Sequence, residues 1–138
     1  MDANIVIAAL LRDAGTRRLL VLGGHEIHAP EYLLGEVEAH VEDLSERAGL
    51  TRAALEEALR IIRGHLTEHS AAEYGAELKR AGRLLKDRDM TDAPYVALAL
   101  ALRADGIWSQ DRGLVSQESF RVYRTADLMR VGEGRKQD

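Results

Sequence analysis

Four acidic residues far apart in the chain, Asp2, Glu36, Asp92 and Asp111, stand at places where a folded chain could gather them. Asp111 directly follows the short apolar run Ile107–Ser109, which reads as a strand, and Asp92 opens a helix that enters the same edge. Asp2 lies where a first strand would end, and Glu36 comes from an early helix. In an α/β sheet, functional groups collect outside the carboxyl ends of the strands. Four carboxylates on one rim are tolerable only with cations among them. Hard divalent ions, Mg2+ or Mn2+, suit carboxylate and water oxygens and keep positions open for a phosphate. The chemistry expected of such a set is metal-assisted phosphodiester hydrolysis. Each acid also has an ordinary reading. Asp92 could serve as a helix N-cap and Asp111 as a turn residue, while Glu36 shares its helix with Glu31, Glu38 and Glu42.

The elements that must position these acids centre on Lys86–Leu114. Ala93–Leu102 is apolar on every side, which predicts a fully buried helix, capped by Thr91 or Asp92 with Pro94 in its first turn. Upstream, Ile5–Leu11 reads equally as strand or buried helix. Leu19–Leu22, closed by Gly23–Gly24, reads as a buried strand. Pro30 suits the first turn of a helix whose stripe Leu33, Val37, Val41, Leu44 and Ala48 runs to Gly49. Thr51 caps a second helix carrying Leu55, Leu59 and Ile62, and His65–His69 is read as a strand. Ser70 and Glu73 have capping-box spacing before the stripe Tyr74, Leu78, Ala81 and Leu85. Phe120–Tyr123 is a further strand, and Thr125 caps a last helix with Leu128 and Met129. Alternating helices and short strands predict an α/β fold around a parallel sheet, one domain over residues 1–131 with a frayed tail over 132–138.

Composition narrows the function. With 138 residues, 46% hydrophobic and 30% charged, the chain can build one real core. It holds no cysteine, so any metal must take oxygen or imidazole ligands. No run is long enough for a membrane span and no signal peptide is evident, so a cytoplasmic protein is expected. The net charge of -4 and pI of about 5.7 have the wrong sign for a general nucleic-acid surface. A local basic stretch, Lys79, Arg80, Arg83, Lys86 and Arg88, leads to Asp89, and Arg83, Lys86 and Arg112 are candidates for touching an RNA backbone. A zinc reading of the pairs His25/His28 and His65/His69 is disfavoured because no H-E-x-x-H occurs. Gly23–Gly24 lacks the rest of any phosphate loop. Trp108, beside the last acid, either fills the core or stacks a base, and core filling is the favoured reading.

Four phrases also carry a resemblance: Asp2–Ala3–Asn4, Glu36 in Leu34–Gly35–Glu36–Val37, D-x-x-D-A-P-Y-V-A-L-A-L from Asp89, and Ser109–Gln110–Asp111–Arg112–Gly113–Leu114. Together they resemble the PIN-domain family over nearly the whole chain. The resemblance implies a three-layer α/β/α sandwich with a short central parallel sheet, and a Mg2+- or Mn2+-dependent ribonuclease site. Asp2, Glu36, Asp92 and Asp111 then match the acidic quartet, with Asp89 as an auxiliary acid and Asn4 and Ser109 as supporting polar residues. Many small members are VapC-like toxins of toxin–antitoxin modules, often homodimeric and inhibited by an antitoxin protein. Only Met1 precedes Asp2, so either the strand that would present that acid is almost absent or the true start lies upstream. The alternative function is a degenerate, non-catalytic PIN-like scaffold that binds a protein partner or RNA.

Overall fold

The computed structural model describes residues 1–11, 14–86, 90–115, 117 and 119–130. The expectations placed on Asp89, on Arg88 and on the tail from residue 132 fall outside the described residues. The chain opens with α1 (Ala3–Leu11) and α2 (Ala14–Leu22), then β1 (His28–Pro30), α3 (Glu31–Ala39), α4 (Val41–Ala48) and α5 (Arg52–Arg63). There follow β2 (Thr67–His69), α6 (Ala71–Tyr74), α7 (Leu78–Leu85), α8 (Ala93–Leu102), β3 (Ile107–Trp108), α9 (Arg112–Val115) and β4 (Val122–Tyr123). Residues 125–130 are again helical. The fold is α/β and mostly helical, with short strands that pair in parallel, β1 with β2 and β3 with β4.

Several boundaries differ from the sequence reading, each for a local reason. Ile5–Leu11 resolves as helix: α1 buries Ile5, Val6, Ala9 and Leu10, the i, i+1, i+4, i+5 set of one helical face. Leu19–Leu22 is not a strand but the end of α2. Thr16, Leu19 and Leu20 are buried while Leu22 is exposed, the spacing of a helix face rather than alternation. Gly23 ends that helix where its N–H donates to the Leu19 carbonyl, and a Cβ there would lie 2.3 Å from that same oxygen. The strand expected at Leu19 falls instead on His28–Pro30, and Pro30 is its last residue as well as the N-cap of α3.

The single helix expected from Pro30 to Gly49 breaks at His40, whose φ of -110 and ψ of 18 lie off the helical values. Leu33, Val37, Val41 and Leu44 all stay buried across the break, so the apolar stripe alone could not reveal it. Thr51 does cap α5, its hydroxyl accepting from the Ala54 N–H at 3.1 Å. The Ser70/Glu73 capping box is also present, but a 3-10 turn over Gly75–Glu77 separates the four residues it starts from α7. α8 is buried over Ala93 and Tyr95–Leu98 only; Ala101 and Leu102 are exposed, which corrects the fully buried helix.

Packing divides into two apolar clusters with α8 and β3 between them. Tyr95 and Trp108 join the cluster built from α1 to α5, whereas Ala93, Val96, Ala97 and Ile107 join that of α6, α7 and α9. Ile107 and Trp108 thus face opposite ways, as successive strand residues must. Trp108 fills the core as favoured, 5% exposed, and its indole N–H donates to the Thr125 hydroxyl at 3.0 Å. That hydroxyl is therefore committed to the indole. The Thr125 N–H is met at 3.0 Å by the Gln110 side-chain oxygen, and Asp127 accepts from the Arg124 N–H at 2.9 Å.

Met1 and Asp2 tie the two strand pairs together. The Met1 amine donates to the His28 carbonyl at 3.5 Å and the Asp2 N–H to the Trp108 carbonyl at 3.2 Å. In a parallel ladder alternate residues bond to opposite neighbours. Ile107 and Ser109 donate to the β4 side, which leaves Trp108 turned toward Asp2. Two residues do the work of a central strand.

β1 and β2 are cross-linked by their histidines. His28 Nδ1 and His69 Nε2 lie 2.8 Å apart; the outer nitrogens meet Glu26 at 2.8 Å and Glu73 at 3.2 Å. One proton between two imidazoles satisfies both rings. The pairing joins His28 to His69 rather than either of the close-spaced pairs in the sequence. Among the described residues, no helix is long and apolar enough to cross a membrane.

Candidate acidic site

Three of the four acids share one local feature. Asp2, Asp92 and Asp111 each stand immediately before a helix, α1, α8 and α9. Helix starts carry unpaired N–H groups and the positive end of the helix dipole, which favours carboxylates. Glu36 differs, lying exposed within α3.

Asp2 is the buried member, 4% exposed. Its carboxylate receives the Ser109 hydroxyl in a short hydrogen bond and lies 3.4 Å from the Ile5 N–H. Burial nonetheless pushes its pKa above the ordinary value, opposed by Ser109, by the Met1 amine and by the Ile5 and Asn4 backbone N–H groups. Asn4 thus supports Asp2 through its backbone, while its side chain is on the exposed face of α1. Ser109 is fully buried and bonds twice, donating to Asp2 and accepting the Asp111 N–H at 3.0 Å. The Asp111 side chain caps α9, one oxygen accepting the Gly113 N–H at 2.7 Å, and the residue is exposed. Asp92 is half-buried at the N-cap of α8 and makes no capping bond through its side chain.

Tyr95 lies within electrostatic reach of three of the acids. Burial first, then the negative charges of Glu36, Asp2 and Asp92, push its hydroxyl far above the ordinary range. One phenol therefore senses three of the four predicted acids, and Ser109 links the fourth to Asp2. Sequence reasoning missed Tyr95, although its signal was there: Asp92 and Tyr95 are three apart and share a helix face. Arg83, Lys86 and Arg112 are all exposed, Arg112 beside Asp111 and the other two at the end of α7. A cavity of about 410 Å3 lined by Met1, His28, Tyr95, Leu98 and Trp108 holds none of the four acids.

The donor chemistry suits a hard divalent ion. Neither Asp2 nor Glu36 has a lysine, arginine or histidine partner among the described residues, and the Asp2 carboxylate carries a burial cost that a cation would offset. Among the described residues, no three carboxylate or imidazole groups stand close enough to enclose one ion as they are.

Short parallel strands with helices packed against them make an α/β domain. A family model described as a PIN domain matches residues 1–125, and the chain belongs to the PIN-domain family. PIN domains are in general nucleases that act on RNA and use divalent metal ions. The chain matches no curated protein and no solved structure.

Proposed function

We propose that the chain is a Mg2+- or Mn2+-dependent endoribonuclease whose Asp2, Glu36, Asp92 and Asp111 hold the metal. The observation that carries this reading is the tie of Asp111 to Asp2 through the buried Ser109, supported by the negative charges of Glu36, Asp2 and Asp92 that all raise the pKa of Tyr95. A bound ion supplies a water of lowered pKa and positive charge for the phosphate. The chain's own residues supply the placement. Ser109 fixes Asp2 through its hydroxyl and the Asp111 backbone through its oxygen, so the two acids are set by one buried group. Tyr95, its hydroxyl pushed up by burial and by these negative charges, stays a neutral phenol and adds no charge to them. Exposed Arg112, Arg83 and Lys86 draw the RNA backbone toward a protein that is otherwise acidic. Asp89 is assigned an auxiliary role beside Asp92. No side-chain nucleophile is required.

We place the enzyme in the cytoplasm as the toxin of a type II toxin–antitoxin module, a homodimer restrained by an antitoxin protein. A three-layer α/β/α arrangement belongs to the same reading. The support for these finer assignments is the family. Calorimetric titration with Mn2+ separates the enzyme from a non-catalytic scaffold. The wild type is expected to release or absorb heat that Asp2→Asn and Asp92→Asn each diminish at least tenfold in affinity. No carboxylate-dependent heat would favour the scaffold.

A further inference from the structure

In the β1–β2 ladder Thr67 stands opposite His28 and His69 opposite Pro30, so strand alternation puts both histidines on one face. Their rings meet there, centroids 5.1 Å apart, with His28 Nδ1 2.8 Å from His69 Nε2. A carboxylate backs each ring: Glu26 lies 2.8 Å from His28 Nε2 and Glu73 lies 3.2 Å from His69 Nδ1. Glu73 is itself fixed, since its other oxygen accepts the Ser70 N–H at 2.6 Å in the capping box of α6.

These carboxylates decide which ring nitrogens carry protons. A carboxylate accepts, so each outer nitrogen donates its N–H outward and each inner nitrogen turns a lone pair toward the other ring. Two lone pairs 2.8 Å apart need a positive species between them. A proton fills that place by making one ring cationic, whereas a metal ion fills it with both rings neutral. Carboxylate-backed histidine is the usual form of metal-bound imidazole, because the outer hydrogen bond fixes the tautomer and makes the inner nitrogen a better ligand. Neutral imidazole suits zinc rather than the hard ions that carboxylates hold. Two Zn–N bonds of about 2.0–2.1 Å at a tetrahedral angle span about 3.3 Å, so the inner nitrogens need to part by only about half an ångström. The His28 side chain is 23% exposed, which admits water to the pair.

We infer that His28 and His69 form a Zn2+ site, backed by Glu26 and Glu73 and completed by water. With two protein ligands it is an exchangeable site rather than a closed structural one. It shares no residue with the four acids and does not depend on the ribonuclease reading. The ion clips β1 to β2, and β1 runs through Pro30 directly into α3, the helix that carries Glu36.

The test titrates the full chain, 15N-labelled at histidine, with ZnCl2 in excess Mg2+, so that the carboxylates are already supplied with a hard ion. One equivalent of Zn2+ should shift His28 Nδ1 and His69 Nε2 together, leave the exposed His40 and His65 in place, and raise the thermal midpoint. His28→Gln and His69→Gln should each weaken Zn2+ binding in calorimetry at least tenfold, and Glu73→Gln about tenfold, at unchanged circular dichroism. The wild-type ring resonances decide the question even where a variant fails to fold. Inner nitrogens that Zn2+ leaves unmoved, or an affinity that both histidine variants retain, would overturn the inference.

Discussion

Asp2→Asn is expected to abolish RNA cleavage and, in the same protein, to raise stability at neutral pH. The two effects share one cause. The Asp2 carboxylate is buried at the junction of α1 and β3, and burial raises its pKa despite the Ser109 hydroxyl and the backbone donors around it. A carboxyl group whose folded pKa exceeds its unfolded value binds its proton more tightly when folded. Its contribution to stability is therefore greatest below the unfolded pKa of about 3.8 and is lost as pH rises through the raised folded value. At pH 7 the ionised group therefore costs the fold stability. Asparagine keeps an oxygen for Ser109 and removes the charge. Thermal unfolding at pH 7 should rise by about 2–5 °C in the variant. Added Mn2+ should raise the midpoint of the wild type and leave the variant unmoved, because a cation offsets the burial cost only where the carboxylate is present. A variant less stable than wild type at pH 7 would show that Asp2 is a structural residue.

Trp108→Ala is the largest stability loss expected in the chain, about 3–5 kcal/mol. The indole is 5% exposed, fills the α1–α5 cluster from β3, and donates its N–H to the Thr125 hydroxyl. Truncation leaves a cavity and an unsatisfied buried hydroxyl together. Against a total stability of about 5–15 kcal/mol, that is roughly a fifth or more of the margin. The urea midpoint should fall accordingly. Trp108→Phe, which keeps most of the ring volume and loses only the N–H, should fall by less than half as much. The variant also separates core filling from base stacking. Trp108→Phe should leave RNA affinity unchanged, since the buried ring has no surface to offer a base.

What the sequence made legible was local. Thr51 and the Ser70/Glu73 pair announced their helix starts because a cap and its partner lie within one turn. The run from Asp92 through Ala93–Leu102 to Asp111 was readable because a helix, a strand and two acids follow one another without interruption. Leu19–Leu22 misled because four apolar residues fit a strand or a helix equally, and only the burial of Thr16 extends the pattern to helical spacing. The break at His40 left no mark, since the apolar stripe runs through it.

For the site, residue types could be named but their ties could not. Asp2 and Ser109 stand 107 positions apart, and nothing local says that one hydroxyl binds one carboxylate. The same holds for Tyr32 with Tyr95, His28 with His69 and Trp108 with Thr125, pairs that exist only once the chain is folded. The near-absence of a strand before Asp2 looked like a weakness from the sequence. In the fold, Met1 and Asp2 bond to His28 and Trp108 on either side, and Asp2 is the best-held of the four acids.

The central claim is that these carboxylates are the working parts of an RNA-cutting site. Its most direct test is cleavage of single-stranded RNA in Mn2+ by the wild type, Asp92→Asn and Asp111→Asn, each checked for native circular dichroism, with a chelator control. The account predicts that the wild type cuts, that chelator stops it, and that each substitution lowers the rate by about a hundredfold or more. Cleavage that survives both substitutions, or runs undiminished in chelator, would contradict it.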